Sequence, residues 1–192
     1  TTAVKKVTRP DHNIIAILPP GVKTDNLEYV MIGAHYDHLG YNDGTLNPKG
    51  GNPGRIHNGA DDNGSGTVTL LELIAWLAEQ RRKYPEKFKR GIIFCWWTGE
   101  EIGLLGSAQY AKNPLIPFKQ VTSYINLDMV GRMKDNKLII QGMGTSSVWK
   151  KLIEKRNVAA GFSLKLQDDP YQPTDITSIY PKGVPSICLF TG

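Results

Sequence analysis

Four short motifs hold the residues of this chain that could do chemistry: GAHYDHLG at 33–40, GADDNGSG at 59–66, WWTGEEIGLLGS at 96–107 and YINLDMVG at 124–131. In the first, His35 and Asp37 form an HxD pair, which suits a metal-bound imidazole whose other N–H is held by a nearby carboxylate. Taken alone, a histidine in such a place is more often structural or exposed. In the second, two aspartates among small residues read as a well-capped helix start, where Asp, Asn and Ser are favoured. They read equally as a site in which Asp61 bridges two cations while the glycines let the backbone turn tightly beneath them. In the third, Glu100 and Glu101 directly follow an apolar run and repel each other unless something cationic sits nearby. One can be a metal ligand while the other serves as general base toward a metal-activated water, and an exposed acidic turn is the plainer alternative. In the fourth, Asp128 ends an apolar run, where a carboxylate is costly to desolvate unless paired or bound to metal. Imidazole with carboxylates suits zinc, with manganese or cobalt as alternatives. No GxSxG nucleophile, P-loop or dinucleotide fingerprint competes.

These motifs need a frame that brings them together. Apolar runs at 13–18, 29–35, 91–97, 123–130, 137–142 and 184–190 read as strands, several apolar at consecutive positions as central strands covered on both faces are. Helical patterns lie at 65–83, with Val68, Leu71, Ile74, Leu77 and Ala78 on one face, at 104–113 before Pro114, and at 146–160 before Gly161. A short helix is expected around Thr174–Pro181. This alternation implies a three-layer α/β/α sandwich with a mostly parallel, mixed central sheet. The first two strands are expected to pair as an antiparallel hairpin at one edge. The Gly-, Asn- and Pro-rich segment 39–59 has no periodicity and reads as a long functional or disordered loop. Strand ends of an open α/β sheet meet in a crevice at its carboxyl edge, and there the four motifs converge. His35, Asp61, Glu101 and Asp128 should lie within a few ångströms of one another.

A chain of 192 residues fits one domain spanning 1–192 and can bury a substantial core. Its 40% apolar and 21% charged residues are ordinary for a globular protein. No apolar run reaches the roughly 20 residues that span a bilayer. The chain opens TTAVKKVTRP, with neither Met nor an apolar signal segment, and reads as a processed or excised piece. The net charge of +5 does not imply nucleic-acid binding, because the densest basic run, 81–90, follows a helix whose carbonyl end favours cations. Cys95 and Cys188 lack CxxC spacing and read as buried free thiols.

Taken in order, GAHYDH, GADDNGSG, TGEEIGLLGS and INLDMVG closely resemble the co-catalytic zinc aminopeptidases of peptidase family twenty-eight, from Tyr29 to the end of the chain. The resemblance implies a peptidase that removes residues from the free N-terminus of peptides by way of a water activated between two zinc ions, in a secreted or periplasmic setting. It implies that His35 and Asp128 hold one zinc, that Asp61 bridges both, that Glu101 holds the second, and that Glu100 is the general acid/base. Asp37 matches the aspartate behind the histidine ligand, and Asp175, within TDITSIYPKGVPSI, is a candidate for the substrate pocket. A cis peptide between Asp61 and Asp62 is implied as well. The family's last ligand, a histidine preceded by a tyrosine, lies beyond the strand matched by CLFTG, so the chain reads as lacking its C-terminal end. It is therefore expected to hold one zinc or none and to be a weak or inactive enzyme. His12, His38 and His57 match no ligand position, and His57 is the stand-in that the sequence suggests. The alternatives are a single-zinc glutaminyl cyclase, and a non-catalytic binding module on the same fold.

Overall fold

The computed structural model describes residues 10–41 and 54–192. Most of the expected long loop therefore lies outside the described residues, as does the start of the domain expected over 1–192. The elements, in chain order, are β1 (Ile14–Leu18), β2 (Tyr29–His35), β3 (Gly40–Tyr41), β4 (Ile56–His57), α1 (Gly64–Lys83), β5 (Gly91–Trp97), α2 (Leu105–Lys112), β6 (Val121–Leu127), β7 (Lys137–Gln141), α3 (Val148–Ala160), β8 (Ser163–Leu166), α4 (Ile176–Ile179) and β9 (Ser186–Phe190). Short β3 and β4 form an antiparallel pair that brackets the Gly-rich segment. None of the described helices is long and apolar enough to cross a membrane.

Seven strands form one sheet in the order β1-β5-β2-β6-β9-β7-β8. β5, β2, β6 and β9 run parallel, and β7 runs antiparallel to β9 but parallel to β8. The expected β1–β2 hairpin does not form. β1 does lie antiparallel at the edge, but its partner is β5, which separates it from β2. The reason is burial. β2 reads YVMIGAH and is buried along nearly its whole length, so it needs a strand on each side, while β1 keeps Ile14 and Ile17 exposed as an edge strand can. β8, SLKL, is a strand the sequence did not announce, too short to stand out from the loop after Gly161 although its burial alternates.

Apolar side chains cover both faces of the sheet, which makes the three layers. On one face Met31, Ile93, Cys95, Trp97 and Tyr124 pack with Tyr110 and Ala111 of α2 and Ile176 and Ile179 of α4. On the other, Ile32, Ala34, Phe94 and Trp96 pack under Leu70, Leu73, Ile74 and Leu77 of α1, and Ile140 and Ile187 pack with Trp149 near the start of α3. The inner face of α1 is thus rotated from the expected one. Ile74 and Leu77 point inward, whereas Val68 and Leu71 are more than half exposed. The helix is anchored at Gly66, where a Cβ would stand 2.6 Å from the Leu127 carbonyl oxygen. That approach puts Leu70, one turn on, against the sheet and swings Val68 and Leu71 to solvent.

Candidate metal centre

The parallel run of β5, β2 and β6 brings three strand ends to one edge. His35 is the last residue of β2, Glu100 and Glu101 follow the end of β5, and Asp128 follows β6 directly. The start of α1 closes the edge from above. Asn63 caps that helix by accepting from the Gly66 N–H, and the same side-chain oxygen accepts from Met129 N. Its amide donates to the Leu127 carbonyl, so one side chain joins the helix start to the end of β6. Beneath the site runs a buried chain of hydrogen bonds: Trp97 Nε1 donates to Tyr124 Oη at 2.8 Å, and that hydroxyl donates to Asn126 Oδ1 at 2.6 Å. Gly33 makes room for it, since a Cβ there would stand 2.5 Å from the Tyr124 hydroxyl.

At the centre is His35, 1% exposed. Its Nδ1 faces the Asp37 carbonyl oxygen at 3.1 Å and the Asp37 carboxylate at 3.6 Å. A proton is therefore assigned to Nδ1, and Nε2 faces inward. Nε2 stands 3.2 Å from Asp62 Oδ1, 3.5 Å from Asp128 Oδ1 and 4.0 Å from Glu100 Oε2. Beside this group, His38 Nδ1 stands 2.5 Å from Glu101 Oε1 and 3.9 Å from Asp62 Oδ2. Asp62 thus offers one carboxylate oxygen to each of two triads, His35–Asp62–Asp128 and His38–Asp62–Glu101. Asp37 serves a further purpose, since its two oxygens accept from the N–H groups of Glu100 and Glu101 at 3.2 and 3.4 Å and so hold the acidic turn against the histidine.

The charges respond to this crowding. For His35, burial opposes protonation, but acceptors at Asp128, Asp37 and Asp62 outweigh it and hold the imidazole far above its ordinary pKa. Asp62 is held below the usual carboxylate range, first by its hydrogen bond to His35. Burial pushes the Glu100 carboxyl up to about 8; attraction to His35 works against that rise, and the charges of Asp175, Asp128 and Glu101 add to it. Burial and then Asp62 raise Glu101 as well. Five acidic groups converging on two imidazoles form an electrostatic sink that protons or a cation would fill.

The donor set fits a metal. Zinc–nitrogen and zinc–oxygen bonds of about 2.0–2.1 Å at tetrahedral angles put neighbouring ligand atoms roughly 3.3 Å apart. The contacts of 3.2 and 3.5 Å around His35 Nε2 match that spacing. The site opens into a cavity of about 310 Å³ whose remaining wall includes Met129, Phe190, Pro173, Gln141, Gln172 and Thr174.

Of the residues expected from sequence, His35, Glu100, Glu101 and Asp128 come together with Asp37 behind them. Asp61 does not join them. Its Oδ1 accepts from Gly131 N at 2.8 Å and its Oδ2 is buried without a partner among the described residues, while Asp62 turns inward between the triads. The physical reason is the cap: with Asn63 as N-cap, the residue just before it stands over the strand ends. The non-proline cis bond is likewise one residue later than expected, between Asp62 and Asn63. Asp175 lies off the cavity wall, fully buried, and its neighbours Gln172, Pro173 and Thr174 line it instead. The imidazole that joins the second triad is His38 and not His57, whose ring stands edge-on to His38 with centroids 6.3 Å apart. The sequence carried a signal for His38, a second imidazole three residues beyond His35 in the turn leaving the same strand.

Leucine aminopeptidase 1 of Arthroderma otae is 37% identical over 123 residues, which cover 64% of this chain and 30% of that protein. The chain thus spans well under half the length of this curated relative. Among solved structures, BSAP, a zinc aminopeptidase from Bacillus subtilis, superposes with a TM-score of 0.69 at 29% identity, over 94% of this chain and 40% of the other. A glutaminyl cyclase from Porphyromonas gingivalis shares the fold, with a TM-score of 0.66 at 23% identity, over 93% of this chain and 62% of that one. The profile of peptidase family M28 matches residues 13–191, and the chain belongs to that family.

Proposed function

We propose that this chain carries the metal centre of an aminopeptidase that hydrolyses the first peptide bond of substrates with a free N-terminus. The observation that carries the reading is the shared carboxylate: Asp62 turns one oxygen toward His35 and Asp128 and the other toward Glu101 and its neighbour His38. His35, Asp62 and Asp128 would hold one divalent cation, zinc by the chemistry of the donors, and Asp62 with Glu101 would hold the second. Such a pair, when bound, supplies Lewis acidity toward the scissile carbonyl and makes water a competent nucleophile near neutral pH. The protein's own groups do the rest. Asp37 fixes the His35 ring and, through the N–H groups of Glu100 and Glu101, the turn that presents both carboxylates. Glu100, facing the cavity with a carboxyl raised by burial, is suited to take a proton from water and return it to the leaving amine. Met129, Phe190 and Pro173 give the wall an apolar surface for the substrate's first side chain.

Glu100→Gln separates the roles of the two glutamates. In the longer, active protein, zinc content should remain at the wild-type level while turnover of an aminoacyl-nitroanilide falls by about 10²–10⁴, the usual worth of acid–base catalysis. Loss of zinc from this variant would mean that Glu100 and Glu101 have exchanged roles. Cyclisation of an N-terminal glutamine peptide, in place of nitroanilide turnover, would overturn the peptidase reading in favour of a cyclase.

A further inference from the structure

The two glutamates of the site are carried on the turn 98–106 that joins β5 to α2, and this turn is held from β1, whose side chains enter neither triad. Backbone hydrogen bonds close the turn on itself. Gly106 N donates to Thr98 O and Leu105 N to Gly99 O, both at 2.9 Å, while Gly103 N and Leu104 N donate to Glu100 O at 3.0 and 2.9 Å. β1 runs antiparallel to β5, with Ile14 opposite Trp96, so the residues that lead into it lie at the carboxyl edge where the parallel strands end. There the Asn13 side chain spans the two ends of the turn. Its Oδ1 accepts from Thr98 N at 3.2 Å and its Nδ2 donates to the Gly106 carbonyl at 2.9 Å. A backbone donor on one side and a backbone acceptor on the other leave the amide a single orientation. Gly106 is fitted to this contact, since a Cβ there would stand 2.3 Å from Asn13 Oδ1. Two residues earlier, Asp11 accepts from the hydroxyls of Thr98 and Tyr36, and Tyr36 N donates to Trp97 O, which ties the same segment to the residue after His35.

We propose, resting on the reading of Glu100 above, that Asn13 is a positioning residue for the reaction: it fixes the turn from which the Glu100 carboxyl meets the water. Asp37 grips the turn at its tip, by the N–H groups of Glu100 and Glu101, and Asn13 grips it at its base, by Thr98 and Gly106. With the base released, the tip pivots about Asp37, and a shift of about 1 Å in a reacting group can cost about 10²-fold in rate. Asn13 is not on the cavity wall, so its contribution is geometry passed on through Glu100. A brace of the fold alone would lower stability and leave the proton transfer as it was.

The test is a double-mutant cycle between Asn13→Ala and Glu100→Gln in the longer, active protein, read as kcat and KM on an aminoacyl-nitroanilide at saturating zinc, with bound zinc measured alongside. Asn13→Ala should keep its zinc and keep KM within a few-fold, while kcat falls by about 10–10²-fold. With Glu100→Gln already in place, Asn13→Ala should lower kcat by no more than about two-fold, because the group it positions is gone. Asn13→Asp, of the same size, keeps the acceptor for Thr98 N and loses the donor to Gly106 O, so its kcat should fall between wild type and Asn13→Ala. Hydrogen exchange in the metal-free 192-residue chain gives a readout without turnover. In Asn13→Ala the Leu105 and Gly106 amides should exchange about 10-fold faster or more, while those of β2 keep their wild-type rates. Should Asn13→Ala fail to fold, the cycle and the exchange are run with Asn13→Asp. Unchanged kcat, a loss that multiplies with that of Glu100→Gln, loss of bound zinc, or unchanged exchange at Leu105 and Gly106 each overturns the proposal and leaves the peptidase reading standing. A Glu100→Gln variant with wild-type turnover overturns the reading of Glu100 and this proposal together.

Discussion

Asp61 and Asp62 are neighbours in sequence with unrelated surroundings. The first spends Oδ1 on the Gly131 N–H and its backbone carbonyl on the Ser65 hydroxyl, which itself accepts from Val130 N. It is a brace between the start of α1 and the turn after β6. The second makes its side-chain contacts with the two imidazoles. Substitution should separate these jobs. Asp62→Ala should leave almost no zinc after dialysis, because the two triads share this one carboxylate. Asp61→Ala should keep its zinc and instead lose about 0.5–1.5 kcal/mol of stability in the metal-free chain, the net worth of the hydrogen bond from the exposed Gly131 N–H. Metal analysis and thermal melting of both variants would check this. Zinc lost from Asp61→Ala with its fold intact would restore Asp61 as the bridging group. The sequence could narrow the bridge to this pair but could not choose within it, because both are aspartates in a small-residue turn.

At the scale of elements, the start of α1 determines how well the site is held. Gly66 lies where a Cβ would meet Asn63 Oδ1 at 2.5 Å and the Leu127 carbonyl oxygen at 2.6 Å. Gly66→Ala would force apart the cap and the end of β6, both of which position site residues. A loss of about 1–3 kcal/mol, as for other overpacked positions, is expected together with weaker zinc binding. Ordinarily alanine favours a helix over glycine by about 1 kcal/mol, so a variant at least as stable as wild type would show that the helix does not approach the strand this closely. The existence of α1 was plain from its apolar spacing and from the Asn, Gly and Ser before it. Its inner face was not, because Val68 and Leu71 fit the periodicity as well as Leu70 and Leu73 do. The helix's closest approach, at Gly66, decides between them.

For the molecule as a whole, one buried carboxyl off the cavity wall adds its own response to pH to that of the site. Asp175 is fully buried, and among the described residues neither of its oxygens has a hydrogen-bond partner, the nearby Ser107 hydroxyl being engaged with Leu104 O and Ser178. Burial pushes its carboxyl up to about 7 from an ordinary 3.8. Between those values the folded chain keeps a proton that the unfolded chain has released. The contribution of Asp175 to stability therefore falls as pH rises from about 4 to about 7, and its penalty is constant above that. Asp175→Asn removes the titration, so the metal-free variant should gain on the wild type across this window, by up to about 1.4 kcal/mol per unit of the shift. Melting curves of the two proteins that stay parallel from pH 4 to 7 would sink the idea that this carboxyl is held protonated.

The apolar runs at 29–35 and 91–97 determined central strands without help, since burial on both faces is written in consecutive apolar residues. The order of the four motifs and their places at strand ends likewise determined that His35, Glu100, Glu101 and Asp128 share one edge, because parallel strands put their carboxyl ends together. What the chain's periodicity could not hold was any choice between local equals: Asp62 over Asp61, His38 over His57, β5 over β2 as the partner of β1. Those choices depend on contacts made far along the chain. Asn63, which turns Asp62 inward, is held by Leu127 and Met129, 64 and 66 residues away. A pattern read over a dozen residues carries the burial of each segment, but only the folded chain brings into contact the distant backbone that aims a particular side chain.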